Sequence, residues 1–162
     1  KISIISRGRA GGYTLKLPTE DRHLYTKTQF LNDLAVFLGG FTAEQTVFHE
    51  LTTGASNDLE KATELARRIV TRFGMSERLG PMTFGHKEEM IFLGKEIHES
   101  RNYSEQVAFE IDKEVKRLIT NAHRVAEKII KEHKRKLEKI AKRLIEKETI
   151  EKDEFAALMK EA

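Results

Sequence analysis

The chain has 162 residues, enough for one domain with a real core and a smaller appendage. Hydrophobic residues make up 39% and charged residues 34%, a helix-rich globular balance, and no run approaches the roughly 20 apolar residues that cross a bilayer. Cysteine is absent, which excludes disulfides, thiolate metal ligands and a cysteine nucleophile. The small net charge of +3 arises from Lys and Arg interleaved with Glu, the pattern of a solvated helix face, so no nucleic-acid partner is expected.

In chain order, Ile2, Ile4 and Ile5 form a short β-branched run, and Tyr13-Thr14-Leu15-Lys16-Leu17 alternates before Pro18 stops it. The glycine-rich stretch Arg7 to Gly12 connects them, which predicts two short strands. Such a pair is marginal alone and needs a further surface or strand to pack on. Phe30, Leu31, Leu34, Phe37 and Leu38 recur at helical spacing from about Thr26, with Gly39-Gly40 expected to end the run, and a second helix follows over about Thr42 to Phe48. The polar loop Thr52 to Asp58 then feeds a helix. Asn57 with Glu60 reads as its capping pair, Leu59, Ala62, Leu65, Ala66, Ile69, Val70 and Phe73 as its apolar face, and Gly74 as its C-terminal cap.

Ser76 to Asn102 has little periodicity and reads as a long surface loop anchored by Ile91-Phe92-Leu93. From Ser104 the chain is helical. One stripe runs Ile111, Val115, Leu118, Ala122, Val125, Ile129, and a second runs Leu137, Ile140, Leu144, Ile145. Thr149 is expected to cap a last helix through Phe155 and Leu158. The fold class is mainly α, with a small β element at the N-terminus and antiparallel helices at the C-terminus. A boundary near 103/104 is expected to separate a core from a helical subdomain, 104–162.

The six histidines, at 23, 49, 86, 98, 123 and 133, include no i, i+4 pair. His49-Glu50 and His98-Glu99 begin like His-Glu-x-x-His but end in Thr53 and Asn102, so no helix of this chain sets two imidazoles toward one metal. No Gly-x-Ser-x-Gly elbow and no phosphate-cradling loop occurs. On composition alone, Asp58 is an acid in the first turn of a helix, where the dipole favours it.

Thr52-Thr53-Gly54-Ala55-Ser56-Asn57-Asp58-Leu59, followed by Ala62-Thr63-Glu64-Leu65-Ala66-Arg67-Arg68, resembles the M41-type peptidase domain of the FtsH family. Ile2-Ser3-Ile4-Ile5 with Arg7-Gly8, Gly12-Tyr13-Thr14-Leu15, Gly39-Gly40 leading to Ala43-Glu44, Gly74-Met75-Ser76-Glu77 with Leu79-Gly80-Pro81, and Ser100-Arg101-Asn102-Tyr103-Ser104 continue the match in order. Departures are Ser6 for a usual proline, Gly11 for a usual leucine, Phe41 for a cation and Gln45 for an acid.

The resemblance implies a membrane-anchored, ATP-dependent zinc endopeptidase that forms homo-hexamers and degrades unfolded membrane and soluble proteins. ATP and Mg2+ would belong to an ATPase module outside this chain, and the anchor to an N-terminal segment outside it. The expected location is the inner (plasma) membrane of a bacterium or organelle, with this domain in the cytoplasm. It also implies an HExxH helix before residue 1, which would carry two zinc histidines and the catalytic glutamate, so no catalytic residue is expected in this chain. Asp58 matches the third zinc ligand. Glu44, Thr53 and Asn57 are expected to orient that ligand, and Tyr13, Thr14 and Leu15 to form an edge to which substrate adds as a strand. The alternative is a non-catalytic scaffold of the same fold that has lost the zinc helix.

Overall fold

The computed structural model describes residues 1–6, 11–15, 24–87, 99–100 and 102–160. They form six α-helices and five two-residue strands, grouped by their contacts into two compact units: 1–24 with 129–162, and 25–128. This division differs from the expected boundary at 103/104, because the first and last segments of the chain belong to one sheet.

In the larger unit, α1 (Lys27–Phe37) opens with a capping box. The Thr26 side chain accepts from the Gln29 amide at 3.2 Å, and Gln29 Oε1 accepts from the Thr26 amide at 2.8 Å. The glycines expected to end this helix instead begin the next, α2 (Gly39–Val47). Leu38 stays near helical angles (φ −80°, ψ −5°) and serves as the end of one and the start of the other. A 3-10 turn (Thr53–Ala55) leads into α3 (Ser56–Thr71), which packs on α1. Gly74 at φ +59° lets the Met75 amide reach back to the Ile69 carbonyl at 3.2 Å, closing α3 as the sequence predicts.

Residues 76–102 are not wholly irregular. Ser76 bridges Gly80, and β3 (His86–Lys87) pairs antiparallel with β4 (Glu99–Ser100), while the expected anchor Ile91-Phe92-Leu93 lies outside the described residues. Ser104 caps α4 (Glu105–Glu132), its hydroxyl accepting from the Val107 amide at 3.3 Å. The core joins Leu34 and Leu38 of α1, Ala62, Ala66 and Ile69 of α3, and Ile111, Leu118 and Ala122 of α4. Ala126 is buried, whereas Val125 and Ile129, expected in the stripe, are about half exposed. A 28-residue α-helix turns 3.6 residues at a time, so its buried line drifts from the one extrapolated from its first turns.

In the smaller unit, β1 (Ile2–Ser3) is the centre of a three-stranded antiparallel sheet of order β2-β1-β5. β2 is Tyr13–Thr14 and β5 is Thr149–Ile150. Thr149, expected as a helix cap, is therefore a strand residue, and its hydroxyl lies 2.9 Å from that of Ser3. Helix α4 ends at Glu132 and α5 (Lys134–Lys147) begins two residues later. His133 between them leaves helical geometry (φ −114°, ψ 25°). α5 and α6 (Lys152–Lys160) run antiparallel. Lys136 Nζ bonds the Met159 carbonyl at 2.8 Å, and Arg143 bonds Glu154 at 2.7 Å. No described helix is long and apolar enough to cross a membrane.

Candidate metal centre

The segment Leu51 to Asp58 is positioned from below by one carboxylate. Glu44, on the second turn of α2, accepts from the Thr52 amide through Oε2 at 2.9 Å and from the Thr52 hydroxyl through Oε1 at 3.0 Å. With its amide proton so engaged, Thr52 is held extended (φ −116°, ψ 173°), and its Oγ1 accepts from the Gly54 amide at 3.0 Å. That contact caps the 3-10 turn, as an N-cap hydroxyl does for a helix. The turn is tight at Gly54, where an added Cβ would meet Thr52 Oγ1 at 3.1 Å and Glu44 Oε1 at 3.2 Å. Buried Ala55 anchors its far end. The chain then runs straight into α3, so Asn57, expected as a cap, is the second residue of the helix and Asp58 the third.

Asp58 stands in the first turn of α3, where the unpaired amides and the helix dipole favour a negative charge. Its side chain is about half exposed. Lys61, one turn on, places Nζ 3.6 Å from Oδ1, too far for a hydrogen bond. Among the described residues no donor hydrogen-bonds to either Asp58 oxygen, and Lys61 is its one ion-pair neighbour. Thr53 and Asn57 are exposed and do not bond Asp58; of the expected orienting residues, only Glu44 is tied into the loop, and it is tied through Thr52.

A carboxylate free in this way fits one position of a zinc site, whose protein ligands combine oxygen with imidazole nitrogen. Among the described residues no three His, Asp or Glu side chains converge on a point, so Asp58 would be one member of a set completed from elsewhere. His49 is exposed, at φ +57°, and His123 packs edge-on to Phe41 and shares a 3.2 Å contact with Gln45. Phe41 and Gln45, the two departures in that motif, thus meet the same partner on α4.

Tyr13, Thr14 and Leu15 lie in the other unit, with β2 at the sheet's edge. Lys1 and Leu15 exchange both main-chain bonds, at 3.1 and 2.8 Å, so the next pair, Ile2 and Thr14, is the non-bonded kind. The amide and carbonyl of Thr14 therefore point away from β1, toward an edge that no described strand occupies.

One cluster was not foreseen. Glu114 is 1% exposed on α4; it receives Arg117 through two bonds at 2.7 and 2.8 Å and the Ser76 hydroxyl at 2.9 Å. Arg117, foremost, and Ser76 hold its carboxyl below the usual glutamate range against the opposing effect of burial. Ser76 in turn accepts from the Arg78 and Leu79 amides, both at 3.2 Å, so Glu114 pins the turn after α3 to α4. The signal was present: an acid between Ile111 and Val115 on the apolar stripe, with an arginine three residues on.

Fold and geometry define a helical domain that presents a half-exposed carboxylate in the first turn of a helix and, in its small sheet, a strand edge that no other described strand occupies. The model for Peptidase family M41 matches residues 1–158. The chain is 60% identical over 161 residues to "ATP-dependent zinc metalloprotease FtsH 1" of Thermomicrobium roseum and 55% identical over 161 residues to the protein of that name in Sphaerobacter thermophilus. It is 50% identical over 162 residues to "ATP-dependent zinc metalloprotease FtsH" of Thermotoga maritima. Each match covers 99% of this chain, which spans about a quarter of each relative (25%, 25% and 27%). The chain belongs to peptidase family M41.

Proposed function

We propose that this chain is the peptidase module of an ATP-dependent zinc metalloendopeptidase that degrades unfolded membrane and soluble proteins. The observation that carries the reading is Asp58, a carboxylate with no hydrogen-bonded partner of its own, in a chain 60% identical to a zinc metalloprotease. Bound zinc in such a site polarises a water for attack on a peptide carbonyl. Asp58 supplies charge and an oxygen ligand, Glu44 and Thr52 hold the loop that carries it, and the outward main chain of Thr14 offers a substrate segment a strand to pair with. Two histidines and a glutamate on an HExxH helix would complete the centre.

The intact protein acts in this reading as a homo-hexamer. An ATPase module using ATP and Mg2+ feeds it unfolded polypeptide, and a separate segment anchors it in the inner membrane with this domain on the cytoplasmic side. The experiment is Asp58→Asn in the full-length protein. Asparagine keeps the size and removes the charge, so a purely structural role at this third helical position predicts only a loss of about 0.3–1 kcal/mol in stability, with zinc content and cleavage unchanged. Loss of zinc and of casein cleavage with ATP hydrolysis retained is the expected result, and full zinc content with normal cleavage would refute the proposal.

A further inference from the structure

Within the loop before α3, the side chain that is bonded at both ends is that of Thr52, not those of Thr53 or Asn57. Glu44 and Asp58 are on different helices and share no bond; what connects them is Thr52. Its amide and hydroxyl take both oxygens of Glu44, and the same hydroxyl receives the Gly54 amide at 3.0 Å. The turn so fixed has one further internal bond, from the Ser56 amide to the Thr53 carbonyl, and Ser56 is already the first residue of α3. The turn that Thr52 ties to Glu44 thus runs without a break into the first turn of α3, which carries Asp58. Neither the Thr53 nor the Asn57 side chain bonds the turn or Asp58; Thr53 contributes only its carbonyl.

We infer that Thr52 is a positioning residue for the metal site: its hydroxyl clasps Glu44 to the turn and so holds Asp58 in the orientation that binds zinc. The inference rests on the proposed role of Asp58 and deepens it. Glu44 then acts on the loop, and through it on the ligand, which gives a carboxylate near the site a role that needs no contact with the metal. Side chains that orient a ligand from behind typically change metal affinity by roughly 10–100-fold.

The test compares Thr52→Val, Thr52→Ser and Asp58→Asn in the full-length protein. Zinc affinity is measured by competition with a chelator, at a temperature where circular dichroism shows native helix content. Valine keeps the shape and removes the hydroxyl, so zinc should bind roughly 10–100-fold more weakly. Serine restores the hydroxyl and should restore affinity to near that of the wild type, a rescue that a generic packing role would not give. If Thr52→Val loses native helix content, Gly54→Ala replaces it, since the added methyl presses on Thr52 Oγ1 and Glu44 Oε1 without removing either. Wild-type zinc affinity in the clasp variants while Asp58→Asn is weakened would overturn this inference and leave the Asp58 reading standing. Wild-type affinity in Asp58→Asn would remove both.

Discussion

Replacing Glu114 with glutamine tests whether the turn after α3 is held by charge. The carboxylate accepts three bonds, Arg117 at 2.7 and 2.8 Å and Ser76 at 2.9 Å. Glutamine has one acceptor oxygen, and its amide would turn N–H groups toward the donors of Arg117. Hydrogen bonds to charged groups contribute about 1.5–3 kcal/mol each, but Arg117 is 40% exposed and regains water when released, so the net loss is about 2 kcal/mol. For a chain of this size that lowers the melting temperature by about 4–8 °C. The dependence on pH carries the sharper test. Arg117 first, then Ser76, depress the Glu114 carboxyl below its ordinary value of 4.5. Its stabilisation is therefore complete above that value and is lost as pH falls through the lower, folded value. The gap between wild type and Glu114→Gln in thermal melts should be full near pH 7 and shrink only as the pH falls below 4.5 and the folded carboxyl takes up its proton, since the protonated acid resembles the amide. A gap that is absent at neutral pH, or that stays constant on acidification, would refute the charge-based account.

Glu148 caps α5 at φ +59° and contributes its carbonyl to the Ile4 amide and the Ser3 hydroxyl, while its side chain is exposed. Glu148→Gly should therefore relieve left-handed strain and raise the melting temperature by about 2–4 °C, read by calorimetry. Ile150 is fully buried in β5, and Ile150→Ala should cost about 2–5 kcal/mol, with faster hydrogen exchange at the Ile4 amide as the readout.

What the sequence made legible was local or came from the ordered family motifs. Helices α1, α3 and α4 and the cap at Gly74 follow from spacing and from residues within a turn of each other, whereas the break at His133, with no glycine or proline to mark it, is suggested only by the family pattern. The misplaced features depend on partners far along the chain. Thr149 looked like a cap because nothing nearby reveals that Ser3, 146 residues away, supplies its partner. Gly39-Gly40 looked like a stop because glycine disfavours helix interiors, yet at the first positions of α2 that cost is small. Asn57 looked like the cap of α3 because the clasp of Thr52 on Glu44, eight residues back, moves the helix start upstream to Ser56. Asp58 itself could be read only through the resemblance, since an acid in a first helical turn is common.

The edge at β2 allows a test of substrate pairing that leaves the sheet intact. Leu15 faces β1 with both main-chain groups, so a proline there would break the sheet; Thr14 faces away, so Thr14→Pro removes only an amide at the open edge. Position 14 lies in extended backbone, which proline accepts, and Tyr13 before it is also a strand residue, as a residue preceding proline prefers. If substrate adds to β2 as a strand, one donor to its backbone is lost, at about 0.5–1.5 kcal/mol, or roughly 2–10-fold in kcat/KM for casein. Zinc content, ATP hydrolysis and melting temperature should stay at wild-type levels, because the Lys1–Leu15 bonds and the metal loop are untouched. A Thr14→Pro protein that degrades casein at the wild-type rate would show that substrate does not use this amide. One that also melts at lower temperature would show that Thr14 faces the sheet.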